Sequence, residues 1–406
     1  MITPPVGLDL EGYFRDGPST GVLDELSCQA VVFDDGTTRL VLAVCDLIGL
    51  TRQLRDLVCA RIDLPPEHLM LTATHTHCGP AHLASPDHVD LVSRLADGVV
   101  EAITAATEAI RPAWLGTGTV PVRGIAANRR DPAGPLDENA TFLAAFGQSG
   151  PIATIVNFAC HPTVQGAETR GYSADFPGAA RRTIEQLCGG HAVYLQGTSG
   201  DVNPVRTERT AAEAHRTGTI LGAAISAEVL TTARSVASPH VSNPSLGSTR
   251  PISLATPLQP APLAARWTDV PVEPFQQPPP AEIRARRAAA TDPAQIMEWG
   301  VREYLVAGTG FDSFDYPVSP ATLPVQAFRL SRELVLVGLP GEPFTATGRR
   351  IRAAGLVAGY ANQAAGYLPT VDEFDRSGYE VGCSMYAPGT AERLESAAIE
   401  LVTSLL

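Results

Sequence analysis

The sequence contains no lysine: all 30 basic side chains among its 406 residues are arginine. That absence excludes chemistry built on a lysine Schiff base or on the lysine of a phosphate-binding loop. Clustered positive charge is missing too. Against 43 acidic residues the formal net charge is −13, a field that repels phosphate backbones, so nucleic acid is excluded as a partner. No run approaches the roughly 20 apolar residues of a membrane-crossing helix, and integral membrane association is not expected. The opening "MITPPVGLDLEGYFRDG" lacks the basic start and apolar core of a secretory signal, which makes the cytoplasm the expected location. The seven cysteines (Cys28, Cys45, Cys59, Cys78, Cys160, Cys188 and Cys383) include no C-x-x-C pair. They fit a reduced compartment and no cysteine-built zinc knuckle.

What is present is an alternation of apolar strand-like runs with helical patterns. "RLVLAVCDLIG" (39–49) leads to a helical segment near 51–62, and "HLMLTATH" (68–75) to a helix near 90–110. "PIATIVNFACH" (151–161) precedes a helix with Asp175 as its cap and Pro177 in its first turn, where a missing N–H costs nothing. "AVYLQG" (192–197) precedes a helix on which Leu221, Ile225 and Val229 recur at helical spacing. Residues 251–283 are proline-rich and read as an irregular surface excursion and a candidate lid. A helical stretch follows near 284–307, then "ELVLVGL" (333–339), another helix, and an amphipathic terminal helix. Continuous apolar strands between helices predict a single α/β domain over 1–406, with a mostly parallel or mixed sheet covered by helices.

In such folds functional residues gather beyond the carboxyl ends of the strands. Four polar groups lie at such ends: His75 with His77 after "LMLTAT", His161 after "IVNFAC", Asp201 after "AVYLQ" and Glu342 after "LVLVGLPG". Side chains two apart on a strand share a face, so both histidines of the pair can reach one site. Two histidines and a carboxylate from separate strands form a recurrent catalytic zinc set that leaves a position open for water. Each residue also has an ordinary structural role open to it. His161 could be a hydrogen-bonded core histidine, Glu342 a helix cap, Asp201 an Asx-turn former, and Tyr379 a half-buried aromatic.

The order of the motifs adds what spacing alone does not carry. "ATHTHCGPAH" resembles the "ATHTHSGPGG" signature of the neutral ceramidases, and the likeness continues along the chain. "NRRDPA" (128–133) is similar to that family's "NRSP", "NFACHPT" to its histidine-bearing strand, and "GYSADFPG" to its "GYAS" loop. "SGDVNP" stands where the family has "GDVSPN", "LPGEPFTATGRRIR" is close to "PGEFTTMAGRRLR", and "SGYEVGCSMY" stands in place of "YEGASTLFGP". The resemblance implies layered mixed β-sheets flanked by helices. It also implies one Zn2+ per chain, held by His75, His161, Glu342 and Tyr379, with His77 and Arg129 facing the substrate or its oxyanion. Asp201 and Asn203 would order that site from behind. The same ligands accommodate manganese or iron.

Three departures from the family pattern shape the expected function. Asn203 replaces the serine of "GDVSPN", removing an acyl-serine route through that position. Cys78 and the Ala81-His82 pair replace Ser and Gly-Gly, changing the pocket wall; Cys78 reads as a small buried hydrophobe more readily than as a reactive thiol. The chain also ends soon after the tyrosine motif, without room for the C-terminal β-sandwich domain of secreted ceramidases. The reading is a zinc-dependent amidohydrolase that cleaves the secondary amide of a small N-acylated molecule with metal-activated water. Tyr379 would be ligand and proton relay, and His77 the proton donor to the leaving amine. Two rivals stand beside it. One is an amide-forming, acyl-transferring or cyclising enzyme of bacterial secondary metabolism that uses the same zinc site; the other is a metal-binding homologue without catalysis. The oligomeric state stays open.

Overall fold

Side chains on successive strand residues point to opposite faces, so a strand that is apolar at every position needs a core on each side. Arg39–Cys45 is such a strand, buried throughout after Arg39. Val41, Ala43 and Cys45 face one core, while Leu40, Leu42 and Val44 face another. The computed structural model describes residues 1–237, 256–306, 321–352 and 355–406, and this alternation organises it.

Three sheets supply the inner core. Cys28–Asp34 runs antiparallel to Arg39–Cys45, which runs parallel to Leu69–Ala73. A second sheet runs in the order His191–Gln196, Gly150–Phe158, Asn139–Gly147, Trp114–Pro121 and Thr256–Pro257, its first pair parallel and the rest antiparallel. The third orders Ala264–Pro271, Thr322–Arg329, Val335–Gly338 and Leu356–Ala358, only the last pair parallel. Leu42 and Met70 of the first sheet, Ile155 and Leu195 of the second and Phe328 and Leu336 of the third meet in one core. Each such side chain contributes about 1.5–3 kcal/mol by leaving water.

The outer faces are closed by helices. Arg52–Cys59 and Val89–Glu108 cover the first sheet, through Leu54, Val58, Leu95 and Val99. Asp175–Cys188 and Ala211–Ala237 cover the second through Ile184, Leu221 and Ile225. Thr390–Leu405 covers the third through Leu394 and Val402. This is the expected architecture of layered mixed sheets flanked by helices. No helix among the described residues is long and apolar enough to cross a membrane.

Three local expectations need correction. The proline-rich stretch is not irregular throughout: Ala264–Pro271 is an edge strand paired along its full length with Thr322–Arg329. An edge position tolerates its terminal proline, which has no N–H to give a second neighbour. Residues 251–255 of that stretch lie outside the described residues. The helix expected near 284–307 is two, Pro280–Ala289 and Pro293–Val306, separated before Pro293, whose ring disfavours helical backbone in the preceding residue. Asp175 does not cap its helix. Ala174 holds that place, and Asp175 opens the helix with φ 53°, because its carboxylate is drawn to the backbone N–H groups of Gln165 (2.9 Å) and Phe176 (2.6 Å).

Candidate metal centre

The residues after the central strands converge at the strands' carboxyl ends. His75 follows Leu69–Ala73, His161 follows Gly150–Phe158, Ser199 and Asp201 follow His191–Gln196, Glu342 follows Val335–Gly338, and Tyr360 follows Leu356–Ala358. One ligand nitrogen from each of His75, His77 and His161 lies within 4.8 Å of the others. The Glu342 carboxylate stands 3.4 Å from His75 Nε2 and 3.2 Å from His161 Nε2. His75 and His77 do meet, but not by strand alternation. The strand stops at Ala73, and His75 turns in left-handed backbone, φ 67°, with its N–H on the Leu47 carbonyl. That conformation costs about 1–3 kcal/mol in a non-glycine residue, and such strain gathers at functional sites.

The tautomers decide what the cluster does. His75 Nδ1 lies 2.6 Å from the Ile48 carbonyl, His161 Nδ1 2.7 Å from that of Ser199, and His77 Nδ1 3.2 Å from that of Gly12. A carbonyl only accepts, so each Nδ1 carries the hydrogen, and each neutral ring turns the lone pair of Nε2 inward. His75 Nε2 and His77 Nε2 then face each other at 3.2 Å. Facing lone pairs beside a buried carboxylate repel unless a cation stands among them. The donor set therefore fits a metal ion of the kind bound by imidazole and carboxylate.

Electrostatics agree. Burial, then Arg129, pushes the His161 imidazole down to about 4. Burial, then His75, holds His77 well below the usual histidine range. Both rings are thus neutral, as ligation or proton acceptance requires. Burial acts to raise the Glu342 carboxyl, and positive charge on His75 with hydrogen bonds from His161 and His75 acts to lower it; with both rings neutral and their Nε2 lone pairs turned inward, a bound cation would take that part.

In front of the cluster lies a cavity of about 580 Å3, whose wall includes His77, Arg129, Asn203, Tyr367 and Tyr379. Arg129 ion-pairs with Glu380 (2.7 Å), donates to the Gly200 carbonyl (2.7 Å) and to Asn203 Oδ1 (3.4 Å), and lies over the Tyr367 ring. Arg130 holds the segment that carries Tyr379, through Glu373, Glu380 and the Ser377 carbonyl.

Comparison with known proteins places this arrangement. No family model matches the chain, but relatives do. The neutral ceramidase of Pseudomonas aeruginosa is 30% identical over 125 residues, covering 28% of this chain and 18% of that protein. That of Mycobacterium tuberculosis is 24% identical over 454 aligned positions, 92% of this chain and 71% of that protein, and neutral ceramidase B of Dictyostelium discoideum is 22% identical over 419, 80% and 58% respectively. The crystal structure of the Pseudomonas neutral ceramidase aligns with a TM-score of 0.75 at 20% identity, covering 98% of this chain and 72% of that one. Over 80% to 92% of its length the chain is similar in sequence to neutral ceramidases, and it shares their fold. It spans from 18% to 71% of the length of those curated relatives.

The ligand set that the superfamily implies is brought together in part. His75, His161 and Glu342 share one point, with His77 beside them. Glu342 caps no helix: Glu342–Pro343 pairs with Tyr367–Leu368. Tyr379 reaches the cavity wall, its ring edge-on to Tyr367 at 5.8 Å and its hydroxyl beside Cys383. Asp201 commits one oxygen to Asn128 Nδ2 (3.0 Å) and the other to the backbone N–H and hydroxyl of Thr345 (2.8 and 2.7 Å), so it ties loops together behind the cluster. Cys78 is fully buried, and burial pushes its thiol up to about 12, which makes it an inert core residue.

Sequence reasoning missed the aromatic and main-chain parts of the site. Tyr360 lies against the His75 ring at 4.1 Å, and its own backbone is left-handed, φ 56°. Tyr13 packs on His77 at 5.1 Å. Gly12 gives its carbonyl to His77, and a side chain there would meet His77 Nδ1 at 2.3 Å. The one available signal was the glycine itself in "LEGYF", where φ is 93°.

Proposed function

We propose that this chain is a zinc-dependent amidohydrolase that cleaves the secondary amide of a small N-acylated molecule. The observation that carries the reading is the three Nδ1–H groups anchored to carbonyls, which turn Nε2 of His75, His77 and His161 toward one point beside Glu342. Relatives whose names specify ceramide, itself an N-acylated molecule, supply the reaction class.

In this reading His75, His161, Glu342 and Tyr379 hold the ion. When bound, zinc lowers the pKa of a water and polarises a carbonyl oxygen. The remaining work falls to the chain's own groups. Arg129, kept in place by Glu380 and Gly200, directs positive charge at the carbonyl oxygen as negative charge develops there. His77 is neutral and anchored through Nδ1, so Nε2 accepts a proton from the attacking water and returns it to the nitrogen as the C–N bond breaks. A carboxylic acid and an amine leave. Asn203, in the position of the superfamily's serine, holds Arg129 and cannot carry an acyl group.

The test is elemental analysis of the parent, His161→Ala and His77→Ala proteins, each assayed on N-acyl amines and N-acyl amino acids. About one zinc in the parent, lost in His161→Ala together with cleavage, is the expected result. His77→Ala should keep the ion and lose cleavage; loss of the ion would make His77 a ligand instead. Zinc with no cleavage of any amide would favour the biosynthetic reading, and a metal-free parent would end both.

A further inference from the structure

The cavity wall is more basic than the protein around it. In a chain of net charge −13, four arginines, Arg15, Arg129, Arg206 and Arg209, line this one cavity. Two of them are engaged by the fold. Arg15 spends its donors on the carbonyls of Thr169, His77, Leu10 and Glu11, and Arg129 is paired with Glu380. Among the described residues Arg206 and Arg209 have no carboxylate within ion-pair distance. Arg206 is half-buried and Arg209 exposed; the Arg209 stem passes Gly166 beside Glu168 without pairing. A half-buried guanidinium without a counter-charge carries a desolvation cost that a bound anion would repay.

A second observation is independent of charge. Thr163 lines the same cavity, is only 5% exposed, and its hydroxyl has no hydrogen-bond partner among the described residues. An orphaned buried hydroxyl calls for an explanation, and a χ1 rotation that turns it to a ligand oxygen in the cavity that Thr163 lines provides one. Both arginine charges also act on Tyr13, lowering its hydroxyl pKa against the burial that raises it to about 12. They therefore bear on the same space that Tyr13 shares with His77.

We propose that Arg206, Thr163 and Arg209 form a subsite for a carboxylate of the substrate, so that the amide cleaved is that of an N-acyl amino acid or a similar N-acylated acid. This rests on the amidohydrolase reading of the same cavity. A planar guanidinium matches a carboxylate in bidentate fashion, and a hydroxyl donor completes it. A dianion such as a phosphate monoester is disfavoured, because Asp9 and Glu11 stand in the same wall. The volume of about 580 Å3 suits a molecule of that size. Hydrolysis adds one water across the C–N bond and yields a fatty or shorter-chain acid and a free amino acid.

The experiment uses compounds that share one acyl chain: N-octanoylglycine, N-octanoylethanolamine and its O-phosphate. The parent is expected to favour the glycine conjugate over the neutral amide by roughly 10- to 100-fold in kcat/KM, as charge-assisted contacts predict. Arg206→Gln and Arg206→Lys should lower that acid-to-neutral ratio, the first by most of its value and the second partially, mainly through KM. Thr163→Val should lower it by a smaller factor. Equal or better turnover of the ethanolamide, with the ratio unmoved in Arg206→Gln, overturns the subsite and leaves the hydrolase reading standing. Preference for the phosphate overturns the carboxylate assignment. If the parent cleaves none of the three, calorimetry with N-octanoylglycine decides. Binding that weakens in Arg206→Gln upholds the subsite while the hydrolase reading fails, and absence of binding overturns the subsite as well.

Discussion

Replacing Arg181 with methionine tests whether the strand ends that present His75 are locked by a buried ion pair. Arg181 lies on the Asp175–Cys188 helix and grips Asp46 with both nitrogens, at 2.8 and 2.7 Å. Asp46 is fully buried. It also accepts from the Ser27 N–H and hydroxyl, both at 3.0 Å, and from the Thr74 hydroxyl at 3.2 Å, one residue before His75. Removing the guanidinium leaves a buried carboxylate with three donors and no counter-charge. Breaking such a pair costs about 3–5 kcal/mol, whereas removing both charges costs much less. Urea unfolding of the metal-free protein should therefore show that loss in Arg181→Met and recover at least half of it in Asp46→Asn/Arg181→Met. Zinc affinity should fall roughly 10- to 100-fold in the single variant, the range for a group that orients a ligand from behind. A loss under about 1 kcal/mol, or a double variant as unstable as the sum of its parts, would refute the reasoning.

Asp175 gives a pH test. Burial raises its carboxyl from 3.8 to about 6, and a raised acid favours the protonated fold. Stability from this group is complete below about pH 4 and is lost as pH rises through 6, about 3 kcal/mol in all. In Asp175→Asn that slope should vanish; urea midpoints at pH 4 and pH 7 that shift in parallel with the parent would contradict it. Gly12→Ala places a Cβ 2.3 Å from His77 Nδ1 on backbone with φ 93°. It should cost about 1–2 kcal/mol in strain and lower kcat roughly 100-fold by displacing His77, with zinc content unchanged. An undiminished kcat would show that the Gly12 contact does not position the ring.

The sequence announced the candidate ligands but not how they meet. His75, His161 and Glu342 were legible because each follows an apolar run buried on both faces, and the end of such a strand is where a parallel sheet leaves space for a site. The turn at His75 was not legible, since a left-handed residue depends on tertiary hydrogen bonds, here to Leu47 and Ile48, which no local propensity encodes. Tyr360 and Tyr367 were missed for another reason. Aromatic residues in loops look alike until packing assigns one to a histidine and another to an arginine. The edge strand Ala264–Pro271 was hidden among prolines whose cost vanishes at a sheet edge. Main-chain acceptors such as the Gly12, Ile48 and Ser199 carbonyls leave no mark in sequence at all.

The candidate ligands His75, His161 and Glu342 sit two to four residues beyond strands whose register is fixed by two cores, and the fold that presents them tolerates extensive sequence change, in keeping with a TM-score of 0.75 at 20% identity. The groups on the cavity wall sit on different supports. Tyr13 belongs to the N-terminal segment that Arg15 staples to the His77 carbonyl at 2.6 Å, and Thr163, Arg206 and Arg209 lie in loops after strands. Loops on a rigid scaffold change without penalty to the core. In the reading proposed above the cluster speaks for the reaction class, and the wall of the cavity for the molecule it takes. On that wall, among the described residues, two arginines have no carboxylate within ion-pair distance and one hydroxyl has no hydrogen-bond partner, features that an uncharged lipid amide would leave unused.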